Sequence, residues 1–304
     1  MKAFVVIATK GRPTETRILI ERLEAQTRQP DGIFVVGAGE DDIGEARKAK
    51  TTVKTTLDIS DEPGLPKQRN KGIDLLKDAG AFDGGGDDAF VVFYDDDFRP
   101  ADDWLKMAEQ KFIEDSHIVG LTGAVLADGV TGFGLSEVDA DQFLSGERLP
   151  EKHWASGDKE RDMVSAYGCN MAFRGNVFEK CRFDETLPLY AWQEDRDFTG
   201  QVRHLGRVIL LPSAKGVHMG VKGGRQSGLK FGYSQIANPV YLSGKGTMTE
   251  QQKWLFLGKA ILANMGYSVF RSAYADYPGR LRGNLIAIRD LFAGTCTPLK
   301  ILSL

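Results

Sequence analysis

Three carboxylates in a row, Asp95-Asp96-Asp97, follow directly on the apolar run Phe90-Val91-Val92-Phe93-Tyr94. Like charges packed this closely repel unless a cation neutralises them. Hard divalent ions such as Mn2+ and Mg2+ take oxygen ligands and bridge to substrate phosphates, so the triplet reads as a metal-diphosphate site. A solvated acidic turn, with Asp102 and Asp103 capping the next helix, is the competing reading. The apolar run favours the metal, because the carboxyl ends of buried parallel strands form the ligand-binding edge of a sheet. A second acidic pair, Glu194-Asp195, opens a helical stretch close to Tyr190 and Trp192. Paired carboxylates raise one pKa, which suits proton abstraction. Two acids at a helix start also answer the helix dipole.

The elements around these residues alternate. Residues 4–8 form a continuous apolar run, the pattern of a strand buried on both faces, and a turn at 9–13 leads into a helix carrying Ile18, Leu19 and Leu23. Strands are predicted at 32–36 and 53–59, a loop at 63–66, a helix at 67–76, a surface loop at 84–88 and a strand at 89–94. This rhythm predicts an α/β fold with a mostly parallel central sheet covered on both faces. Beyond residue 100 strands are predicted at 118–125, 166–174 and 208–211 and a helix at 196–205. Residues 128–162 are polar, Gly-rich and unassigned, and 216–232, rich in Gly, Lys and Arg, reads as a mobile loop. Two amphipathic helices, 249–270 and 278–292, close the chain, the second with Leu281, Leu285, Ile288 and Phe292 on one face and Arg282 and Arg289 off it.

At 304 residues, 42% apolar and 27% charged, the composition is that of an ordinary globular protein with a sizeable core. A net charge of −3 gives no argument for nucleic acid. The charge is uneven: residues 245–304 hold eight Lys/Arg against three Asp/Glu, on an otherwise acidic chain, which points to contact with something anionic. Three cysteines without a CxxC pair make neither a disulfide framework nor a thiolate zinc site, and a reducing compartment is the simplest reading. No run approaches a spanning helix; the nearest, 254–270, is interrupted by Lys259 and Asn264.

The motifs resemble those of family 2 glycosyltransferases with the GT-A fold. Val91-Val92-Phe93-Tyr94 with Asp95-Asp96-Asp97 resembles the DxD element, and Val5-Val6-Ile7-Ala8-Thr9-Lys10-Gly11-Arg12-Pro13 the opening strand and nucleotide loop. Pro66-Lys67-Gln68-Arg69-Asn70-Lys71-Gly72 is similar to the "ARNxG" helix, Tyr167 to Arg174 to the acceptor-side strand, and Trp192-Gln193-Glu194-Asp195-Arg196-Asp197 to the "ED" helix start. The matches run in family order from about residue 3 to 220. The segment from Asn238 to Leu242 and the closing helix are similar to bacterial rhamnosyltransferase-like members. The resemblance implies a Rossmann-like catalytic domain at 1–244, with its nucleotide half at 1–100 and its acceptor half at 101–244, and a helical extension at 245–304.

It also implies roles. Asp97 and Asp95 would hold a divalent metal, Mn2+ or Mg2+, with His218 as a third ligand. Thr9, Arg12, Asp58, Arg69, Asp95 and Asp96 would meet the nucleotide sugar, together with Lys222 and Arg225 from a loop closing over the diphosphate. Asp195 would be the base, and Glu194, Trp192 and Asn170 would meet the acceptor. One departure stands out: Gly37 replaces the acid that the family carries after its second strand, so base contacts shift to Glu40, Asp41 or Asp58. The expected activity is inverting transfer from a nucleoside-diphosphate sugar to a glycan or lipid-linked acceptor, in the cytoplasm or at the inner face of the plasma membrane. The C-terminal helices would rest on that membrane, form a dimer or pack on the body. A haloacid-dehalogenase phosphatase would need its DxD after the first strand, and a nucleotidyltransferase would leave Glu194-Asp195 without a role. A non-catalytic glycan-binding module would not need both the DxD element and the Glu194-Asp195 pair.

Overall fold

The computed structural model describes residues 1–224, 227–270 and 275–304. Strand β1 (Lys2–Thr9) lies between β2 (Gly32–Gly37) and β4 (Ala89–Asp95), with β3 (Thr55–Ile59) beyond β2, and all four are parallel. Along β1, Val5 and Ile7 enter one core and Phe4 and Val6 the other, which is why the strand is apolar throughout. Helices α1 (Pro13–Glu24) and α4 (Trp104–Glu114) cover the first face with Leu19, Leu23 and Phe112. Helices α3 (Leu65–Asp78) and α6 (Glu194–Val202) cover the second with Ile73, Leu76 and Phe198. The one-turn helix α2 (Glu40–Ile43) follows β2.

The sheet is mixed in its second half. Strand β8 (Asn170–Arg174) runs antiparallel between β4 and β6 (Ile118–Asp128); β9 (Arg207–His218) then pairs parallel with β6 and antiparallel with β5 (Phe98–Pro100). A two-residue strand, β7 (Arg161–Asp162), flanks β9. The strand predicted at 208–211 continues to His218: three residues including Pro212 loop out of the pairing with β6, and the ladder resumes at Lys215. Proline has no N–H to give a ladder, so the interruption is local rather than terminal. The basic segment is shorter than predicted, because 216–218 belong to β9 and α7 (Gly228–Lys245) begins at Gly228. Within 128–162 lies α5 (Glu137–Ser145), started by a capping box of Ser136 and Asp139.

The closing helices α8 (Glu250–Phe270) and α9 (Tyr277–Phe292) pack with α7 around Tyr233, Ile236, Leu257 and Ala287. Their register is set by a buried amide triad: Asn264 donates to Gln235 at 2.8 Å and to Asn284 at 2.7 Å. The apolar face predicted on α9 is only partly covered, with Ile288 packed against this core. Leu285 and Phe292 are exposed, and Tyr277, Gly283, Asn284 and Ala287 face inward. Small residues serve there because α7 is so close that a Cβ on Gly283 would sit 2.2 Å from the Leu229 carbonyl oxygen.

Gly216 has a comparable role at the site. A Cβ there would lie 2.1 Å from the ring of Phe98, which is fully buried and cannot move aside. The missing side chain lets β5 pair with β9 and brings Asp97 alongside His218. Gly216→Val is expected to lower stability by about 1–3 kcal/mol through overpacking, read as a fall in Tm on thermal denaturation.

Candidate active site

The acidic triplet turns out of β4 where β1 ends, Asp95 standing opposite Ala8 in the ladder. Gln68, at the start of α3, donates to the carbonyls of Thr9 and Val36, both at 2.8 Å, which ties the loop after β1 to that after β2. Asp42 does the same from the other side, accepting from Gly11 N–H at 2.5 Å and Ala38 N–H at 3.0 Å. It is Asp42, rather than Glu40 or Asp41, that turns inward where Gly37 replaces an acid; Glu40 pairs on the surface with Arg47. Two cavities open along this edge, of about 280 and about 410 Å³, sharing Arg12, Asp95, Tyr190 and Gly224 in their walls.

The three acids are differently held. Asp96 is buried, accepts from Thr9 Oγ1 at 2.8 Å and pairs with Arg12 at 2.8 Å; burial pushes its carboxyl up to about 7 against the pull of Arg12. Asp97 accepts from Val221 N–H at 2.8 Å through one oxygen. Its other oxygen is buried and makes no hydrogen bond, although Arg12 Nη1 lies 2.9 Å away and His218 Nε2 3.4 Å. Burial opposes its charge, yet His218, Arg12 and the Val221 N–H hold Asp97 well below the usual carboxylate range. Asp95 is half-buried and lines both cavities.

Asp95, Asp97 and His218 each offer one ligand atom, all within 4.8 Å of one another. Two carboxylates and an imidazole, with a buried Asp97 oxygen lacking a hydrogen bond, fit a divalent cation of the Mn2+ type. Behind the imidazole, His218 Nδ1 lies 3.2 Å from Asp128, which also accepts from Tyr167 Oη at 2.7 Å and meets His153 Nε2 at 3.3 Å. A carboxylate on the far nitrogen fixes the tautomer that leaves Nε2 free to ligate. No local pattern announces Asp128, His153 or Tyr167 as a group, since β6, the 128–162 segment and the turn before β8 meet only in the folded chain.

Several expected contacts are placed elsewhere. Arg69, expected at the nucleotide sugar, is fully buried, paired with Glu194 and with Asp95 at 3.1 Å, and donates to the Gly168 carbonyl at 2.8 Å. All its strong partners are protein groups, so it holds the wall from within. Asn170, expected at the acceptor, is buried between strands, accepting from Thr122 at 2.8 Å and donating to the Gly123 carbonyl at 3.2 Å. Glu194 is also inside: one oxygen meets Arg69 and the other is buried without a partner. Burial and the adjacent Asp195 work against its charge, and the Arg69 guanidinium favours it. Trp192 packs edge-on against Phe231 and Phe256 and lies outside both cavity walls. Asp58 pairs with Lys71 at 3.4 Å at the end of β3, also outside those walls.

Other expected residues do meet. Thr9, Arg12, Asp95 and Asp96 line the smaller cavity, and Arg12, Asp95, Asp97, His218 and Lys222 the larger. Lys222 donates to the carbonyls of Gly129 and Val130, both at 3.1 Å. Arg225 lies outside the described residues. Asp195 lies outside both cavity walls and is half-buried, accepting from the N–H groups of Gly168 at 3.0 Å and Arg196 at 2.7 Å; burial raises its pKa against these donors. The helix starts at Glu194 rather than 196, which puts both acids in its first turn. Leu189, Ala191 and Gln193 all adopt positive φ just before it. Such strain in non-glycine residues is tolerated where the surroundings over-determine it, as the pairing of Leu189 with Gly64 does. It sets Tyr190, unassigned from sequence, into both cavity walls.

No protein-family profile matches the chain, and no curated protein matches it in sequence. Solved structures match in fold. TarS from S. aureus, residues 1–349, superposes with a TM-score of 0.55 at 16% identity, over 90% of this chain and 74% of that one. GalNAc-T7, crystallised with UDP, GalNAc and Mn2+, gives 0.57 at 13% identity over 99% of this chain, which spans 58% of that protein. The mannosyltransferase PcManGT from Pyrobaculum calidifontis, in complex with GDP-Man and Mn2+, gives 0.52 at 15% over 99% of this chain and 85% of that one. The chain therefore has the GT-A fold of glycosyltransferases.

The donor set makes a direct prediction. Asp97→Ala is expected to abolish Mn2+ binding measured by calorimetry or by quenching of the free-ion paramagnetic signal. Asp128→Asn is expected to weaken it roughly 10–100-fold by releasing the imidazole from its tautomer.

Proposed function

We propose that the protein is a metal-dependent inverting glycosyltransferase that uses a nucleoside-diphosphate sugar. The observation that carries this reading is the fully buried Arg69, which joins Asp95 of the metal cluster to Glu194 of the acid pair. Arg69 thus ties the acids suited to a diphosphate-bound cation to the helix start that carries Asp195, an acid outside both cavity walls. The fold supports it, as do the donors bound in its structural neighbours: UDP-GlcNAc in TarS and GDP-Man in PcManGT.

Asp95, Asp97 and His218 would hold Mn2+ (Mg2+ is the second candidate), and a divalent cation there supplies charge to offset that developing on the leaving diphosphate. Arg12 and Lys222 bring fixed positive charge to the same cavity. Thr9, Asp96 and the loop after β1 shape the smaller cavity for the nucleoside. Asp195 accepts the proton of the acceptor hydroxyl as that oxygen attacks the anomeric carbon from the face opposite the diphosphate. Glu194, pinned by Arg69, keeps the first turn of α6 in place. Tyr190 and Phe231 offer aromatic surface to a sugar. The acceptor in this reading is a hydroxyl of a glycan or lipid-linked glycan in bacterial surface polysaccharide synthesis. A cytoplasmic location agrees with three free cysteines.

Nucleoside-diphosphate release from a panel of UDP-, GDP- and dTDP-sugars with Mn2+ tests the activity. Asp195→Asn is expected to lower kcat by a factor of about 10²–10⁴ with little change in donor KM. No release from any donor, with glycan binding intact, would refute an enzyme. Because Asp195 works deprotonated and burial raises its pKa, kcat/KM should fall as pH drops through a value above that of an ordinary aspartate. NMR of the product should show inversion at the anomeric carbon; retention contradicts the single-base mechanism.

A further inference from the structure

The outer face of α8 is unusually apolar. From Trp254 to Phe270 the helix carries one charged side chain, Lys259. Its inward residues are Leu257, Ala260 and Asn264. On the opposite side Leu255, Leu262 and Val269 follow one another at helical spacing, and Leu262 is 71% exposed, Val269 76% and Phe270 83%. Beside it, α9 presents a second outward row in which Arg282, Leu285, Arg289 and Phe292 alternate basic and apolar groups, Phe292 being 88% exposed. Such a surface is far larger than the scattered apolar residues of an ordinary exterior. No helix among the described residues is long and apolar enough to cross a membrane.

We infer that this face docks on the surface of an anionic lipid bilayer. Apolar side chains on one helix, basic groups on the next and aromatic Trp254 and Tyr267 among the exposed residues are the chemistry of an element lying in the headgroup region. The charge decides against a second copy of the chain. Residues 245–304 hold eight Lys/Arg against three Asp/Glu, and although Arg289 is paired with Asp290 at 3.1 Å, two such faces apposed would bring Lys259 and Arg282 against their own kind. Anionic headgroups complement them. The amide triad of Gln235, Asn264 and Asn284 holds α8 and α9 in fixed register, so both rows are offered together. The same layer contributes Ala275, Asp276 and Arg280 to the wall of the larger cavity. Docking would therefore join the cavity to the lipid surface, whatever the cavity binds.

Flotation of the full chain with vesicles tests this, using phosphatidylcholine alone and phosphatidylcholine mixed with phosphatidylglycerol. The chain is expected to float with the anionic vesicles, to do so less at high salt, and to remain behind with phosphatidylcholine. Leu262→Glu with Val269→Glu should lower the bound fraction at least roughly tenfold, and Lys259→Glu with Arg282→Glu by a similar factor. All four positions are outside the cavities, so an unchanged Tm and unchanged donor turnover in solution would keep this result separate from the reading of the site. Absence of flotation, equal flotation with both vesicles, or loss of a dimer rather than of lipid binding in the Leu262→Glu/Val269→Glu variant would overturn the inference.

Discussion

A single guanidinium holds the two halves of the site together. Arg69 is closed off from water, and a cation so placed persists only with anions and acceptors arranged round it. Glu194, Asp95 and the Gly168 carbonyl supply them, from the start of α6, the end of β4 and the turn before β8. Removing one partner of such a buried pair costs about 3–5 kcal/mol, because the other charge is stranded. The rings of Phe93 and Phe183 lie 5.9 and 5.4 Å from the guanidinium carbon and close the remaining sides. The parallel half of the sheet, which carries the acidic triplet, is thereby locked to the antiparallel strand and the acid pair.

Charge balance governs the other side of Asp95. Three carboxylates crowd the end of β4, and burial there makes each net negative charge expensive. Arg12 offsets Asp96 and Asp97, and Asp97 and Asp128 hold a proton on His218 well above its ordinary pKa although burial works against it, a proton that a metal bound at Nε2 would displace. Hydrogen bonds remove Asp96 from the competition by tying it to Thr9. What remains toward the cavity is Asp95, one oxygen of Asp97 and one nitrogen of His218. Asp96, expected from the resemblance at the nucleotide sugar, is held by Thr9 and Arg12 in the wall of the smaller cavity.

The first turn of α6 combines strain with burial. Three non-glycine residues at positive φ each cost on the order of 1–3 kcal/mol, and they lie within five positions of one another. The pairing of Leu189 with Gly64, the Asn238 side chain donating to the Trp192 carbonyl at 2.8 Å and the packing of Trp192 on Phe231 and Phe256 offset this. Trp192 thus serves the junction between the sheet domain and the helical layer, and Tyr190 reaches the cavities instead.

The sequence alone determined the framework. Strands β1 and β4 are apolar on both faces because helices cover both, and that local signal needs no partner to be read. The acidic triplet and the pair at 194–195 were legible for the same reason: each sits at the end of a strongly patterned element, and element ends in an open α/β sheet lie at its binding edge. Position along the chain therefore put Asp95, Asp97 and Asp195 at element ends, while His218 was singled out by the family resemblance, and the fold brings it to Asp95 and Asp97. Tertiary structure decided which way the remaining side chains face. Arg69 and Asn170 lie in recognisable motifs, yet a motif does not state whether a polar group turns toward solvent or toward a buried carbonyl. Asp128, His153 and Tyr167 are far apart in the chain and meet only because β6, β8 and β9 converge, and α9 buries its small residues because α7 approaches too closely for leucine. Periodicity records the environment averaged over an element, whereas a hydrogen bond or a close helix contact depends on one partner distant in sequence, and only folding brings that partner into place.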